Sequence, residues 1–96
     1  MNQFFDALGK KWQKAAEVRG ARIEEPRLDP QVADELLQLA AVVSHTKERR
    51  FAPLATYTAG MAVERLQEAK PEDPEAIAAF IREVREELER ESPGSG

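Results

Sequence analysis

The one histidine of the chain, His45, directly follows Ser44. Serine and histidine are two of the three members of a hydrolase triad. Adjacent residues on a helix point about 100° apart, however, and no nucleophile-elbow glycine pattern surrounds Ser44. We therefore predict that the chain is not an enzyme, and that His45 interacts with the last carbonyls of a helix.

Carboxylates are the second group of residues that could do chemistry, because one predicted helix contains Glu83, Glu86, Glu87 and Glu89. Metal sites in helical bundles need glutamates and histidines that face inward at defined spacing. These glutamates lie largely off the apolar stripe, and the chain contains no cysteine. We predict a solvated acidic face, no metal and no cofactor.

A cluster of cations lies in the segment HTKERRFAP. Its members, which we call the basic turn, are His45, Lys47, Arg49 and Arg50. They precede a predicted helix start, where free backbone N–H groups and the positive end of the helix dipole favour anions. The turn is therefore a candidate site for a phosphate, a carboxylate or a partner protein, although Pro53 removes one donor. A solvated basic surface is the alternative.

Helical periodicity and capping signals define the elements that position this turn. Apolar residues recur three or four apart, Gly20 marks a helix end, and the pairs Asp29-Pro30 and Asp73-Pro74 mark helix starts. We predict helices over residues 3–19, 30–47, 53–69 and 74–91.

No strand-like alternation and no hairpin dipeptide appears in the sequence. The fold is therefore predicted to be all-α, a small bundle of about four helices, with residues 1–91 as a single domain and 92–96 as a disordered tail. The predicted core consists of Leu36, Leu37, Ala40, Val43, Leu54, Met61, Leu66, Ile77, Phe80, Ile81 and Val84.

Two features of the predicted helices could serve packing or binding. Ala55, Ala59 and Gly60 give the third helix a small-residue side, and we predict close approach of a neighbouring helix or of a partner there. The first helix carries Phe4, Phe5, Leu8 and Trp12 near three lysines. A membrane surface or a partner groove is one interpretation of these apolar residues, but core packing is favoured.

Composition limits the class of partner. The net charge of −4 and the pI near 5.1 argue against general nucleic-acid binding. The longest apolar run is Ala76–Ile81, far below the roughly 18 residues of a membrane span. No export signal is evident at the N-terminus, and the absence of cysteine fits a reducing compartment. We expect a cytoplasmic protein without a membrane partner.

The segment LLQLAAVVSHTKERRFAPLATYTAGMA, which spans residues 36–62, resembles a bacterial helical domain of unknown function found beside or fused to the molybdenum cofactor guanylyltransferase. The residues that carry the resemblance are Val43, His45, Arg49, Ala52, Pro53, Leu54, Tyr57 and Gly60. The chain departs from the pattern at Thr46, Arg50 and Glu64, where the family tends to have glycine, proline and glycine. The resemblance implies an accessory role near molybdenum cofactor synthesis and supplies no mechanism.

Three functions compete at this stage. The first is a noncatalytic accessory or adaptor protein that binds a partner protein, or a second copy, through the third helix and the basic turn. The second is a domain that binds a small anionic ligand, such as a phosphorylated or pterin-like compound. A helix-turn-helix DNA binder is disfavoured, because residues 53–66 offer a single cation, Arg65, and few base-reading side chains.

Overall fold

The computed structural model describes residues 2–91. Within that range the chain forms α1 (Gln3–Val18), α2 (Pro30–Thr46), a 3₁₀ helix (Arg49–Phe51), α3 (Ala52–Ala69) and α4 (Pro74–Arg90), and no strand. The predicted all-α class is confirmed, and each predicted helix boundary lies within one residue of the observed one. The predicted tail, residues 92–96, lies outside the described residues.

The chain divides into two compact units, Met1–Pro30 and Gln31–Gly96. In the first unit, the side chain of Asn2 caps α1 by accepting a hydrogen bond from the amide of Phe5. Gly20, at φ +80°, ends the helix as predicted. Its amide donates to Glu17 and the amide of Ala21 donates to Ala16, both at 2.9 Å, which is the Schellman pattern.

The segment after α1 folds back onto the side of the helix that carries Gly9. Gln13 donates a side-chain hydrogen bond to the carbonyl of Ile23 at 3.2 Å, and Lys10 lies 3.7 Å from Glu25. A β-carbon on Gly9 would lie 2.5 Å from the carbonyl oxygen of Pro26. Close approach at a helical glycine therefore occurs in α1.

Replacing Gly9 by alanine should lower the free energy of unfolding by up to about 2 kcal/mol. Alanine gains about 1 kcal/mol of helix propensity, but displacing a backbone carbonyl that touches its methyl group costs about 1 to 3 kcal/mol. Urea denaturation of the full chain measures the difference. An increase in stability would show that the segment around Pro26 moves away freely.

The prediction that the aromatic residues of α1 belong to the core is wrong for Phe4, Phe5 and Trp12, which are all exposed. The returning segment packs on the side of α1 that contains Gly9 and Gln13. Trp12 lies about 100° around the helix from Gln13 and about 60° from Gly9, so its ring borders this contact without being covered by it.

The second unit is built from α2, α3 and α4. Asp73 caps α4 as predicted, because its carboxylate accepts a hydrogen bond from the amide of Ala76 at 2.9 Å. Gln67 joins the end of α3 to the α3–α4 connection through two hydrogen bonds to the backbone of Glu72. The core cluster consists of Leu39, Val43, Ile77 and Ile81, with Ala55, Ala59 and Val63 of α3 among the residues packed against it.

The predicted core is confirmed for Val43, Ile77 and Ile81 and is wrong for three residues. Leu37, Leu54 and Val84 are exposed, and the prediction omitted the buried residues Ala33, Leu39 and Ala78. Leu37 lies about 160° around α2 from Leu39 and about 120° from Val43, so it belongs to the opposite side of the helix. The predicted core-facing side of α2 was therefore rotated toward Leu37 relative to the observed one.

Gly60 does not mark a close approach inside the bundle, so the predicted contact with a neighbouring helix of the chain is wrong at this residue. It is exposed, and a β-carbon built there would have nothing within 4 Å. The small residues that do pack are Ala55 and Ala59, which lie on another side of α3.

Replacing Gly60 by alanine should raise the free energy of unfolding by about 1 kcal/mol, because alanine is the better helix former and meets no neighbour. The melting temperature and the urea midpoint should both increase. Gly9→Ala is the matched control, since it makes the same substitution in a helix where the new methyl group collides. A loss of stability at Gly60 would contradict the open surroundings of this residue.

A buried ion pair joins α2 to α4. The Glu35 Oε2 atom lies 3.5 Å from Arg85 Nη2, and the two side chains are 7% and 11% exposed. The Nη1 atom of Arg85 also donates to Glu89 at 2.9 Å, whereas Nε is buried without a hydrogen-bond partner. Neither Glu35 nor Arg85 was predicted to be a core residue.

Candidate partner-binding surface at the start of α3

The basic turn spans the junction between α2 and α3. His45 lies in the last turn of α2, whose end is closed by hydrogen bonds from Thr46 Oγ1 to the carbonyl of Val42 and from the amide of Lys47 to the carbonyl of Val43. Arg49 and Arg50 form the first two residues of the 3₁₀ helix. All four members of the basic turn are exposed.

The cations of the turn differ in their contacts. Arg50 pairs with Glu48 at 3.3 Å, and its guanidinium carbon lies 5.9 Å from the centre of the Phe51 ring, a cation–π distance. Lys47 and Arg49 make no ion pair with any residue in the range 2–91. The turn therefore retains two uncompensated positive charges at the surface.

The backbone at the start of α3 offers fewer free donors than the sequence suggested. The amide of Phe51 donates to the carbonyl of Glu48 at 3.0 Å, and the amide of Ala52 donates to the carbonyl of Arg49. Pro53 has no N–H group. The 3₁₀ helix thus occupies donors that an anion at the α3 N-terminus would need.

Exposed apolar side chains continue the surface from the turn onto α3. Phe51, Leu54 and Tyr57 recur three residues apart and are 39%, 63% and 69% exposed. Residues at this spacing are neighbours on a helix surface. We define the α3-start patch as Arg49, Arg50, Phe51, Leu54 and Tyr57.

Phe51 and Tyr57 were not among the predicted site residues, and Leu54 was predicted to belong to the core. Apolar residues at helical spacing were taken as inward-facing. The sequence did contain an indication of their exposure. Leu54 and Tyr57 lie about 100° and 160° around the α3 axis from Ala55, which is on the side with the small residues. Only one of those two sides could face the core.

The predicted interface set divides between two surroundings. Ala55 and Ala59 are partly buried and pack against the core cluster, while Gly60 is exposed in open surroundings. These three residues therefore do not form one continuous contact surface.

No catalytic arrangement is visible around the turn. Ser44 and His45 share no hydrogen bond in the described part of the chain. No group of three or more histidine, aspartate or glutamate side chains within residues 2–91 is placed to hold a metal ion. No helix described in that range is both long enough and apolar enough to cross a membrane.

A family model for a domain of unknown function, DUF6457, matches residues 3–95. The chain belongs to the DUF6457 family. The match covers both compact units, so the family domain includes α1 as well as the bundle of α2, α3 and α4. Searches of curated proteins and of solved structures found no match. The resemblance to a domain family of unknown function is confirmed at that level, and DUF6457 membership assigns no activity.

Proposed function

We propose that this DUF6457 protein is a noncatalytic accessory module that binds a partner protein through the α3-start patch. The observation that carries the proposal is the exposure of Phe51, Leu54 and Tyr57 on one side of the α3 start, next to two arginines. Aromatic residues and arginine are enriched at protein interfaces and among the residues that contribute most to binding.

The charge of the patch selects among partners. Arg49 has no ion pair within residues 2–91, and Arg50 is paired only with the exposed Glu48. An acidic partner surface would compensate both cations, and an exchange of the Glu48 contact would cost little because that pair is solvated. The partner surface is therefore expected to be apolar at its centre and acidic at its edge.

The resemblance of residues 36–62 supplies the partner to test first. It suggests an accessory role in molybdenum cofactor synthesis, with the guanylyltransferase as the candidate enzyme. Gene neighbourhood is an independent check, because an accessory protein is expected beside genes for the cofactor or for molybdoenzymes. Neighbourhoods without such genes would remove this partner and leave the interaction surface unassigned.

A pull-down with the purified guanylyltransferase of the same organism tests the proposal. The tagged full chain should retain the enzyme, and the combined substitutions Arg49→Glu and Arg50→Glu should abolish retention by reversing the charge of the patch. Tyr57→Ala should weaken retention by removing an exposed ring. Arg22→Glu with Arg82→Glu is the matched control, because both arginines are exposed and lie outside the patch. Retention that is insensitive to the patch variants would contradict the proposal.

The alternative, a small anionic ligand at the basic turn, has weaker support because two backbone amides at the start of α3 are already hydrogen-bonded. The observation that still supports it is the pair of uncompensated cations, Lys47 and Arg49. Thermal denaturation with nucleotides and molybdopterin precursors tests it, since a ligand of the native state raises the melting temperature by mass action. The absence of a shift at millimolar concentration would eliminate this alternative.

A further inference from the structure

An apolar groove runs between α3 and α4, with the buried Leu39 of α2 among the residues that line it. Its volume is about 300 Å³, and it is partly open to solvent. The α3 side carries small residues, among them Ala55 and Ala59, whereas the α4 side carries Phe80, Val84 and Leu88. Because the α3 side chains are short, the larger α4 side chains are only partly covered: Phe80 and Leu88 are half-buried, and Val84 is 48% exposed.

A row of glutamates accompanies the α4 side of this groove. Glu83, Glu87 and Glu91 each follow one of the groove residues Phe80, Val84 and Leu88 by three positions. Residues three apart are neighbours on a helix surface, so the glutamates stand about one turn apart beside the apolar wall. The row spans about 12 Å along α4.

These three carboxylates are exposed, and none is paired within residues 2–91. Glu89, on another side of α4, differs because it receives a hydrogen bond from Arg85. The α3 side of the groove adds no acidic side chain, since its lining residues are alanines and Thr58. Apolar surface and uncompensated negative charge therefore coincide along one edge.

We propose that the groove binds a basic amphipathic helix of a partner protein. The inference rests on the proposed function, partner binding, and names the class of segment that the partner inserts. The apolar side of such a helix, with anchors three, four and seven residues apart, fills a groove of this kind. Lysine or arginine side chains on its flank face Glu83, Glu87 and Glu91, which determine orientation and specificity. The groove and the α3-start patch thus recognise opposite charges on the partner.

The lining chemistry favours a helix over a small molecule. Small-ligand sites combine apolar walls with a few polar groups that fix the ligand's orientation. In this groove the side-chain polar group is the hydroxyl of Thr58, which already donates to the carbonyl of Ala55 at 2.7 Å. The charged groups stand outside the groove in a row, where they match a helix lying along α4.

A labelled model peptide tests the proposal by fluorescence anisotropy with the full chain. The peptide is an amphipathic helix with leucines on one side and lysines on one flank, and its matched partner has glutamate at every lysine position. The lysine peptide should bind at least about tenfold more tightly than the glutamate peptide, and its affinity should fall as salt is added.

Two variants separate docking in the groove from general charge attraction. Glu83→Lys with Glu87→Lys should remove the preference for the lysine peptide, whereas Glu64→Lys with Glu68→Lys on α3 makes the same change in net charge and should alter affinity less than about twofold. Val84→Asp adds a negative charge yet should weaken the lysine peptide at least about tenfold, because it puts a carboxylate among apolar contacts. Thermal denaturation monitored by circular dichroism confirms that each variant is folded.

Several results would overturn the proposal. The first is that the lysine peptide does not bind at millimolar concentration. The second is that the two double variants lose equal affinity for it, and the third is that Val84→Asp leaves its affinity unchanged. Sedimentation equilibrium provides a further test, because a dimer of the chain that Val84→Asp dissociates would mean that a second copy covers the groove. Arg49→Glu with Arg50→Glu should retain peptide binding, so a failure of the α3-start patch and a failure of the groove are distinguishable.

Discussion

Replacing Arg85 by methionine should lower the free energy of unfolding by about 3 to 5 kcal/mol. The substitution keeps an unbranched apolar stem but leaves Glu35 without its cation. Glu35 is 7% exposed and has no other ion-pair or hydrogen-bond partner for its side chain in the described part of the chain. An uncompensated buried carboxylate is among the most costly defects of a protein interior. Urea denaturation of the full chain measures the loss.

The opposite substitution, Glu35→Met, should cost less, about 1 to 3 kcal/mol. Arg85 then keeps its 2.9 Å hydrogen bond to Glu89, which is half-exposed and already solvated. The two single variants should therefore lose different amounts of stability, because Arg85 has a second hydrogen-bond partner and Glu35 has none in the described part of the chain. Equal losses would show that the contact with Glu89 contributes nothing to the burial of Arg85.

The double variant Glu35→Met with Arg85→Met should recover at least the stability of the Glu35→Met protein. Buried ion pairs are often replaceable by apolar residues of similar volume without loss of stability. Here the native pair is also imperfect, because its closest atoms are 3.5 Å apart and Arg85 Nε is unsatisfied. Additive losses in the double variant would mean that the pair is stabilising beyond the avoidance of a buried charge.

Local signals in the sequence were sufficient to locate the helices. Gly20, Pro30 and the pair Asp73-Pro74 stand at observed helix ends, because caps depend on residues within a single turn. The basic turn was likewise visible as a run of cations before Pro53. These features need no knowledge of what packs against the helix.

The orientation of the helices could not be predicted in the same way. An apolar stripe indicates a side of a helix, yet Glu35 is buried on α2 while Leu37 is exposed. The sequence presents a charged residue and a leucine there, and only the position of Arg85 on α4 explains why the charged one is inside. The ion pair between α2 and α4 joins residues that are 50 positions apart in the sequence, so it is a tertiary contact that no local pattern indicates.

The same limit applied to the glycines and to the candidate site. Gly60 and Gly9 both interrupt a helical pattern, but a neighbouring backbone approaches only Gly9. Leu54 and Tyr57 were taken as inward-facing because they are apolar, although they are exposed and belong to the α3-start patch. Exposed apolar residues are common enough on proteins that the sequence alone does not separate them from the core.

The second large effect is expected for Ile81→Ala, which should lower the free energy of unfolding by about 2 to 5 kcal/mol. Ile81 is 4% exposed and belongs to the core cluster with Leu39, Val43 and Ile77. Removal of three carbons leaves a cavity between α2 and α4 that the surrounding side chains can fill only in part. Urea denaturation with a comparison of m-values distinguishes a loss of stability from a change in the unfolded state.

Val84→Ala on the same helix is the matched control and should change stability by less than about 1 kcal/mol. Val84 is half-exposed at the open groove, so truncation leaves no closed cavity, and the better helix propensity of alanine offsets about 0.5 kcal/mol of the lost contact. A large loss at Val84, equal to that at Ile81, would mean that the groove is closed in solution. The helix proposed to bind there would then have no surface to occupy, so this stability measurement also tests the groove independently of any peptide.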